Sequence, residues 1–318
     1  MCIRDRSKVW ETYIPSQSET MIGNLTFLNN WQIRSELNNA LDKIYVKNLK
    51  TNKEEEIIFT EETVYDSSVS LMQRDRNTDD IYISYSTPKT PSRTFIYNLK
   101  TKEKKLVKEQ IIPSGHSSND YIVERLECEG HDGRIIPITI TRKKTTKLDG
   151  NSNLLLYGYG SYGNSMWPSF SSTRLSLINR DIIWATAHIR GGMERGMKWW
   201  KEGKLLNKKN TFQDYISCAK FLIDKKYTSK KKIIGMGGSA GGLLMGAVVN
   251  EKPDLFLGMI MAVPFVDSLT TNLDHSLPLT IGEFDEFGNA KDNKEHFDYI
   301  YSYACLLYTS DAADDVRG

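Results

Sequence analysis

Short apolar runs alternate with helix-like segments through the second half of the chain, and this alternation restricts the possible folds more than any other feature. Between residues 210 and 227 the apolar positions follow the three- and four-residue spacing of an amphipathic helix, with Asn210 as the predicted N-cap and Gln213 reaching back to it. Continuous apolar strands separated by helices are typical of a parallel sheet covered on both faces. The sequence therefore predicts a doubly wound α/β domain, with strands at 154–157, 182–187, 233–236 and 259–263.

A glycine-rich segment lies between one predicted strand and the next predicted helix. Its residues, Gly-Gly-Ser-Ala-Gly at 237–241, fit the pattern Gly-x-Ser-x-Gly. The flanking glycines permit a tight turn that exposes the serine hydroxyl, and the free N–H groups of the helix start can stabilise an oxyanion. We therefore predict that Ser239 is a nucleophile.

The same segment also fits a dinucleotide-binding fingerprint, Gly-x-Gly-x-x-Ala, over residues 235–240. In that alternative Asp267, after the next strand, would bind a ribose. The fingerprint belongs to the first strand of its domain, whereas at least two strands precede it here, and Asp267 follows too late in the chain. The hydrolase interpretation is therefore favoured.

The first third of the chain contains an internal repeat. The sequence Asn-Leu-Lys-Thr occurs at 48–51 and again at 98–101, each time between a strand-like apolar run and a second short strand. Repeats of about 40–50 residues built from short strands are typical of β-propeller blades. About two blades would fit, although an ordinary meander whose turns recur by chance is the alternative.

Composition limits the classes of partner. The 318 residues include 42 Lys+Arg and 40 Asp+Glu, for a net charge of +2, which does not favour nucleic-acid binding. No apolar run is long enough for a membrane span, and no signal-peptide stretch occurs near the start, so we expect a cytoplasmic protein. Cys128 and Cys218 have no metal-site spacing and are predicted to be buried thiols, with no metal or organic cofactor.

Both ends of the chain resemble translated sequencing-adaptor read-through. We therefore predict foreign ends at residues 1–7 and 304–318. The remaining chain is divided into partial propeller blades at 8–118 and a partial α/β-hydrolase domain at 119–303.

Several motifs, in order, resemble the prolyl oligopeptidase family, and within it the oligopeptidase B branch. The run GMGGSAGGLLMGAVVNEKPDLFLGMIMAVPFVD at 235–267 is similar to the nucleophile region of that family. Three further segments are similar to its oxyanion segment, its Arg-Gly-Gly-x-Glu motif and its acidic loop; they are 156–163, 188–194 and 278–289. The resemblance implies a seven-bladed propeller that caps an α/β-hydrolase domain and admits peptides but not folded proteins.

The resemblance also implies a serine endopeptidase that cleaves peptides after Arg or Lys. It gives Ser239 the attack on the carbonyl, and the Tyr159 hydroxyl and the Ala240 N–H the stabilisation of the oxyanion. Glu283 would pair with the guanidinium of the substrate, with Asp285 nearby, since carboxylates accept Arg in a bidentate manner. Taken alone, Tyr159 could be a packed ring, and the carboxylates, with Glu286, a solvated acidic loop.

Two departures from the family pattern bear on specificity. Trp167 and Ser169 stand where bacterial relatives carry an acidic pair associated with a second basic substrate residue, so a preference for dibasic sites is not expected. Met193 replaces the third glycine of the Arg-Gly-Gly-Gly-Glu run, and the sequence offers no interpretation of this change.

The catalytic acid and base are expected at or beyond Gly318, because this fold orders its triad as Ser, Asp, His at successive strand ends. His116, His131 and His188 precede the serine. Asp267 and His296 have no suitable strand between them, and His275 and His296 are predicted to be surface residues. We therefore expect residues 1–318 to be inactive by themselves. A carboxylesterase and a non-catalytic propeller-bearing binding protein remain as alternatives.

Overall fold

The computed structural model describes residues 11–59, 62–71 and 76–306. The strands in these ranges are β1 (Thr20–Phe27), β2 (Trp31–Asn38), β3 (Leu41–Asn48), β4 (Glu54–Glu56), β5 (Asp66–Leu71), β6 (Asp80–Ser86), β7 (Arg93–Asn98), β8 (Lys104–Glu109), β9 (Tyr121–Glu129), β10 (Ile135–Lys143), β11 (Leu154–Tyr157), β12 (Ile183–Ala187), β13 (Ile233–Gly238) and β14 (Phe256–Ala262). The helices are α1 (Ser172–Ile178), α2 (Gly196–Lys201), α3 (Lys208–Asp224), α4 (Ala240–Glu251), α5 (Ser268–Leu273), α6 (Phe284–Phe287) and α7 (Lys294–Tyr301).

The first eight strands form two antiparallel sheets, in the orders β1-β2-β3-β4 and β5-β6-β7-β8. The repeated Asn-Leu-Lys-Thr segment turns the chain at the same point of both sheets. The Asn48 side chain accepts hydrogen bonds from the N–H groups two and three residues later, both at 3.0 Å, and Asn98 does the same at 3.0 and 2.8 Å. An Asn side chain bound to the backbone in this way favours a tight turn. The prediction of two propeller blades is confirmed.

The other six strands form one sheet in the order β14-β13-β11-β12-β10-β9. Pairing is parallel from β14 to β12 and antiparallel from β12 to β9. Alternate residues of β11 face opposite layers: Leu154 and Leu156 pack into the core that includes α3 and α4, while Leu155 packs with α1. Helices therefore cover both faces, which confirms the doubly wound α/β prediction.

The start of α3 differs from the sequence prediction. The helix begins at Lys208, so Asn210 lies inside its first turn, and the Asn210 side chain donates to the carbonyl of Glu202 at 3.0 Å. Gln213 donates to Glu251 at 2.8 Å rather than reaching back to a cap. The predicted capping box is therefore wrong. The Asn210 side chain binds a backbone oxygen of Glu202, and the Gln213 side chain binds a carboxylate oxygen of Glu251.

The blades contact the α/β domain through the turn between β2 and β3. The N–H of Ala40 donates to the Glu194 carbonyl at 2.8 Å, and the Arg125 guanidinium donates to the Ala40 carbonyl at 2.7 Å. Arg195 forms a further ion pair with Glu19. A cavity of about 820 Å³ lies between residues of the two blades and the loops that follow β11. The blades thus form one wall of this space, and Tyr159 of the α/β domain lies on another.

The predicted foreign ends lie mostly outside the described residues. Residues 1–7 and 307–318 are not described, whereas Ala304 and Cys305 are buried against the α/β core. Cys128 and Cys218 are buried free thiols, as predicted. None of the described helices combines the length and the apolar character needed to cross a membrane.

Candidate active site

Ser239 occupies a strained turn between β13 and α4. Its backbone has φ 55° and ψ −119°, and a positive φ is uncommon for a residue with a side chain. Four backbone hydrogen bonds hold this conformation. The Ser239 N–H donates to the Ala262 carbonyl at 2.9 Å, and the Ser239 carbonyl accepts from the N–H groups of Gly242 at 2.8 Å, Phe265 at 3.0 Å and Leu243 at 3.3 Å. The turn that the sequence predicted for the nucleophile is therefore present.

The glycine at position 237 is required by a close backbone approach. A Cβ atom there would lie 2.3 Å from the carbonyl oxygen of Gly241 and 3.0 Å from that of Gly158. Both neighbours are backbone atoms, so no side-chain rotation could relieve the clash. A residue with a side chain would push α4 away from β13 and displace Ser239.

Two groups that can stabilise an oxyanion lie beside Ser239. Ala240 is the first residue of α4, where backbone N–H groups have no partner within the helix. The hydroxyl of Tyr159, in the loop after β11, lies close to the side chains of Ser239 and Asn164, both of which act on its pKa. Burial raises the pKa of Tyr159, outweighing the lowering by those two contacts, so the phenol keeps the proton that it would donate. The structure thus brings together Ser239, Ala240 and Tyr159.

The Arg-Gly-Gly-Met-Glu segment supports the loop that carries Tyr159. Gly191 approaches this loop so closely that a Cβ atom would lie 1.9 Å from the Gly160 carbonyl oxygen. Arg190 is fully buried and donates to Asp214 at 2.8 Å and to Asp132 at 2.6 Å. These carboxylates raise the pKa of Arg190 despite its burial, so the guanidinium remains charged. The motif therefore has a structural role beneath the oxyanion loop.

The acidic loop places its three carboxylates in different environments. Glu283 is half-buried, and its Oε1 accepts a hydrogen bond from the Tyr162 hydroxyl at 3.1 Å. Burial raises the pKa of Glu283, opposed in part by that hydrogen bond. Asp285 is exposed, whereas Glu286 is 2% exposed. The charges of Glu283 and Glu286 both raise the pKa of Tyr159, so these two carboxylates lie near its hydroxyl.

Lys208 is a buried residue of the site that sequence reasoning missed. It is 1% exposed, and its Nζ donates to the Gly160 carbonyl at 2.7 Å, to the Ser161 hydroxyl, and to Glu286 Oε1 at 3.1 Å. Burial lowers the pKa of Lys208, and Glu286 opposes this effect. A buried lysine needs a carboxylate partner. That requirement was the only signal in the sequence that could have pointed to Lys208.

The departures from the family pattern lie on the wall of the cavity. Trp167, Ser169 and Met193 all line it, together with Tyr159. Trp167 is 47% exposed. The Met193 side chain lies against Gly163, where a Cβ atom would come within 2.5 Å of the terminal methyl group. These positions give the cavity an apolar rather than an acidic edge beside Tyr159.

Two of the described histidines, His188 and His296, are engaged away from Ser239. His188 is fully buried, and its Nε2 is 2.8 Å from the Thr139 hydroxyl. His296 is half-buried rather than on the surface, and its Nδ1 accepts from the Asn289 N–H at 3.0 Å. His275 is likewise half-buried. Asp267 caps α5 by accepting from the Thr270 N–H at 3.3 Å. Neither Asp267 nor His296 contacts Ser239 in the described part of the chain.

Comparison with known proteins agrees with this architecture. Residues 1–110 match the prolyl oligopeptidase N-terminal β-propeller domain, and residues 168–309 match the prolyl oligopeptidase family. Dipeptidyl aminopeptidase BI of Pseudoxanthomonas mexicana is 38% identical over 93% of this chain and 40% of its own length. Protease 2 of Moraxella lacunata is 40% identical over 84% of this chain and 38% of its own.

Solved structures show the same likeness. Oligopeptidase B from Trypanosoma brucei with covalently bound antipain superposes with a TM-score of 0.85 at 34% identity, over 92% of this chain and 42% of that one. Oligopeptidase B from Leishmania major gives a TM-score of 0.83 at 34% identity, over 90% and 41%. The chain therefore spans about 40% of the length of the relatives it matches. It belongs to the prolyl oligopeptidase family, with β-propeller blades preceding an α/β-hydrolase domain.

Proposed function

We propose that the protein containing this chain is a serine endopeptidase that cleaves peptides after Arg or Lys. The observation that carries the proposal is the position of Ser239 on its strained turn, with the Tyr159 hydroxyl close to its side chain and the Ala240 N–H beside it. Family membership supports the same chemistry. The substrates would be peptides that enter the cavity of about 820 Å³ between blades and α/β domain.

In the proposed reaction the Ser239 Oγ attacks the carbonyl carbon of the peptide bond. The carbonyl oxygen becomes an oxyanion, which accepts hydrogen bonds from the Tyr159 hydroxyl and the Ala240 N–H. The proton of the Ser239 hydroxyl passes to the His proposed beyond Gly318 and from it to the amine, which leaves as the intermediate collapses to an ester on Ser239. Water then hydrolyses that ester. Because both donors are fixed before the charge develops, they stabilise the transition state more than the substrate.

Specificity for basic residues is assigned to Glu283. Its carboxylate is half-buried, lies near Tyr159 and has one hydrogen bond, from Tyr162. A guanidinium or ammonium that enters this environment would gain a charged partner away from bulk water. Asp285 is exposed and would act only through its longer-range charge.

The catalytic Asp and His are proposed to lie beyond Gly318, so residues 1–318 alone should not turn over substrate. Asp267 and His296 form hydrogen bonds with other residues, which supports this placement. A serine without its base loses most of its activation. Turnover by residues 1–318 that disappears in the S239A variant would contradict the placement of the catalytic Asp and His beyond Gly318.

The experiment compares amino-blocked chromogenic peptides that end in Arg, Lys, Pro or Glu, with the full-length protein as the enzyme. We expect Arg and Lys peptides to be cleaved, and S239A to reduce kcat by more than about 1,000-fold. E283Q should lower kcat/KM for Arg peptides by about 100-fold and leave neutral substrates nearly unchanged, with D285N as the matched carboxylate control.

Two results would overturn the proposal. Equal cleavage by wild type and S239A would show that Ser239 is not the nucleophile. An E283Q variant that kept its Arg preference would contradict the assignment of specificity to Glu283.

The name dipeptidyl aminopeptidase BI raises a second candidate activity, removal of dipeptides from free amino ends. Cleavage of free dipeptidyl substrates with no cleavage of the amino-blocked ones would favour that activity.

A further inference from the structure

We infer that Lys208 is a positioning residue that fixes the oxyanion loop and the acidic loop relative to each other. The inference rests on the proposed function, because it takes Tyr159 as the oxyanion donor and Glu283 as the ligand of the basic side chain. Lys208 lies at the start of α3, between the two loops, and contacts both through its single ammonium group.

The contacts on the oxyanion side act on the residues that follow Tyr159. The Lys208 Nζ donates to the carbonyl of Gly160 at 2.7 Å and to the hydroxyl of Ser161. Gly160 has φ +70°, a left-handed conformation that turns the chain immediately after Tyr159. By binding the carbonyl of this turn, the ammonium fixes the backbone from which the Tyr159 phenol projects toward Ser239.

The contact on the acidic side acts on the short helix α6. Glu286 Oε1 accepts from Lys208 at 3.1 Å, and its Oε2 accepts from the Trp200 indole at 2.9 Å. Glu286 is three residues after Glu283, about one helical turn, so anchoring one carboxylate restrains the other. The hydrogen bond from Tyr162 to Glu283 at 3.1 Å forms a second link between the same two loops.

The chemistry of the buried pocket selects lysine. An ammonium has three donor hydrogens and no acceptor, and the structure provides three oxygen acceptors, one each from Gly160, Ser161 and Glu286. An isolated buried charge would be strongly unfavourable, so the Glu286 carboxylate is needed as the compensating charge. An arginine would present a planar group of different length and could not keep the three contacts in place.

The test uses the full-length protein and three variants: K208M, K209M and E286Q/K208M. Lys209 is the exposed neighbour of Lys208 on the same helix and makes K209M the matched control. For Arg peptides, K208M should lower kcat by about 10- to 100-fold and also raise KM, because both Tyr159 and Glu283 lose their orientation. The concentration of reactive serine is measured by titration with an acylating inhibitor, and kcat is calculated from it. A loss of folded protein therefore does not lower the measured kcat.

Two outcomes would overturn the inference. One is a K208M variant with the kcat and KM of K209M. The other is recovery of wild-type kinetics in E286Q/K208M, which would mean that the loss in K208M came only from an uncompensated Glu286 charge.

Amide hydrogen exchange makes the test independent of the proposed function. K208M should accelerate exchange in both 158–163 and 281–287, whereas K209M should accelerate it in neither. Acceleration in one loop alone, or in none, would contradict the coupling even if the protein cleaved no basic peptide. An inactive wild type in which K208M still loosens both loops would instead refute the peptidase proposal and support the coupling.

Discussion

Asp42 and Asp66, on neighbouring blades, form a carboxyl pair on the cavity wall. Asp42 is 7% exposed, and its Oδ2 accepts from the Ser67 N–H at 2.7 Å. Burial is the main cause that raises the pKa of Asp42 to about 7, and the charge of Asp66 adds to it. Burial also raises the pKa of Asp66, and its hydrogen bond with Asp42 opposes that rise. Burial and the charge of Asp66 therefore favour the protonated form of Asp42 at the junction of the two blades.

The raised pKa of Asp42 predicts that the free energy of unfolding decreases as pH rises toward neutrality. The pKa of Asp42 is higher in the folded chain, about 7, than its ordinary value of 3.8, so the folded state binds more protons between these two values. The contribution is complete below about pH 4, is lost progressively as pH rises from about 4 to about 7, and is on the order of 4 kcal/mol.

The D42N variant should flatten this dependence, because the amide oxygen can still accept from Ser67 while the titrating group is gone. Thermal unfolding at pH 5 and pH 8 measures it, and the wild type should lose more Tm between these pH values than D42N. D120N makes the same change at an exposed aspartate and serves as the control. A D42N variant that kept the wild-type difference in Tm would contradict the raised pKa of Asp42.

At the scale of elements, the turn from β13 into α4 depends on the absence of a side chain at position 237. The G237A variant should be destabilised by about 3 kcal/mol, because its Cβ would lie 2.3 Å from the Gly241 carbonyl oxygen. G258A is the matched control on the adjacent strand β14, where a Cβ meets no atom within 4 Å. That change should alter stability by no more than about 0.5 kcal/mol. Urea unfolding followed by tryptophan fluorescence compares the two variants, and equal stabilities would refute the packing argument.

Local patterns predicted the elements whose causes are local. The Asn48 and Asn98 turns depend on residues two and three positions away, and the Ser239 turn is marked by its own flanking glycines, so their sequence signals were sufficient. The start of α3 was predicted three residues late, because the feature that marks it is the burial of Lys208. The acceptors of Lys208 belong to loops 47 to 78 residues away in the chain. A lysine or glutamate of this kind is normally solvated, so Glu286 was likewise predicted to be part of a solvated loop.

At the scale of the whole molecule, the α/β sheet ends in an apolar strand that is largely exposed within the described part of the chain. β14 is the last strand in the sheet order, and residues on both of its faces are exposed. Leu257 is 59% exposed, Ile260 45% and Val263, just after the strand, 85%. An apolar edge strand with free backbone groups is a site for pairing with further chain or with another molecule. In the longer protein we expect additional strand and helix to cover this edge.

Residues 1–318 expressed alone should therefore bind an environment-sensitive apolar dye and self-associate through β14. The variant L257K/I260K places one charge on each face of the strand and should reduce both effects, because a charged edge resists pairing. I111K/L148K places the same charges on two exposed side chains away from β14 and should leave both effects unchanged. Dye fluorescence and sedimentation measure the difference, and the full-length protein should show neither effect. A wild-type chain that stayed monomeric and dye-free would mean that its own residues already cover the edge, and that the catalytic acid and base need another place in the fold.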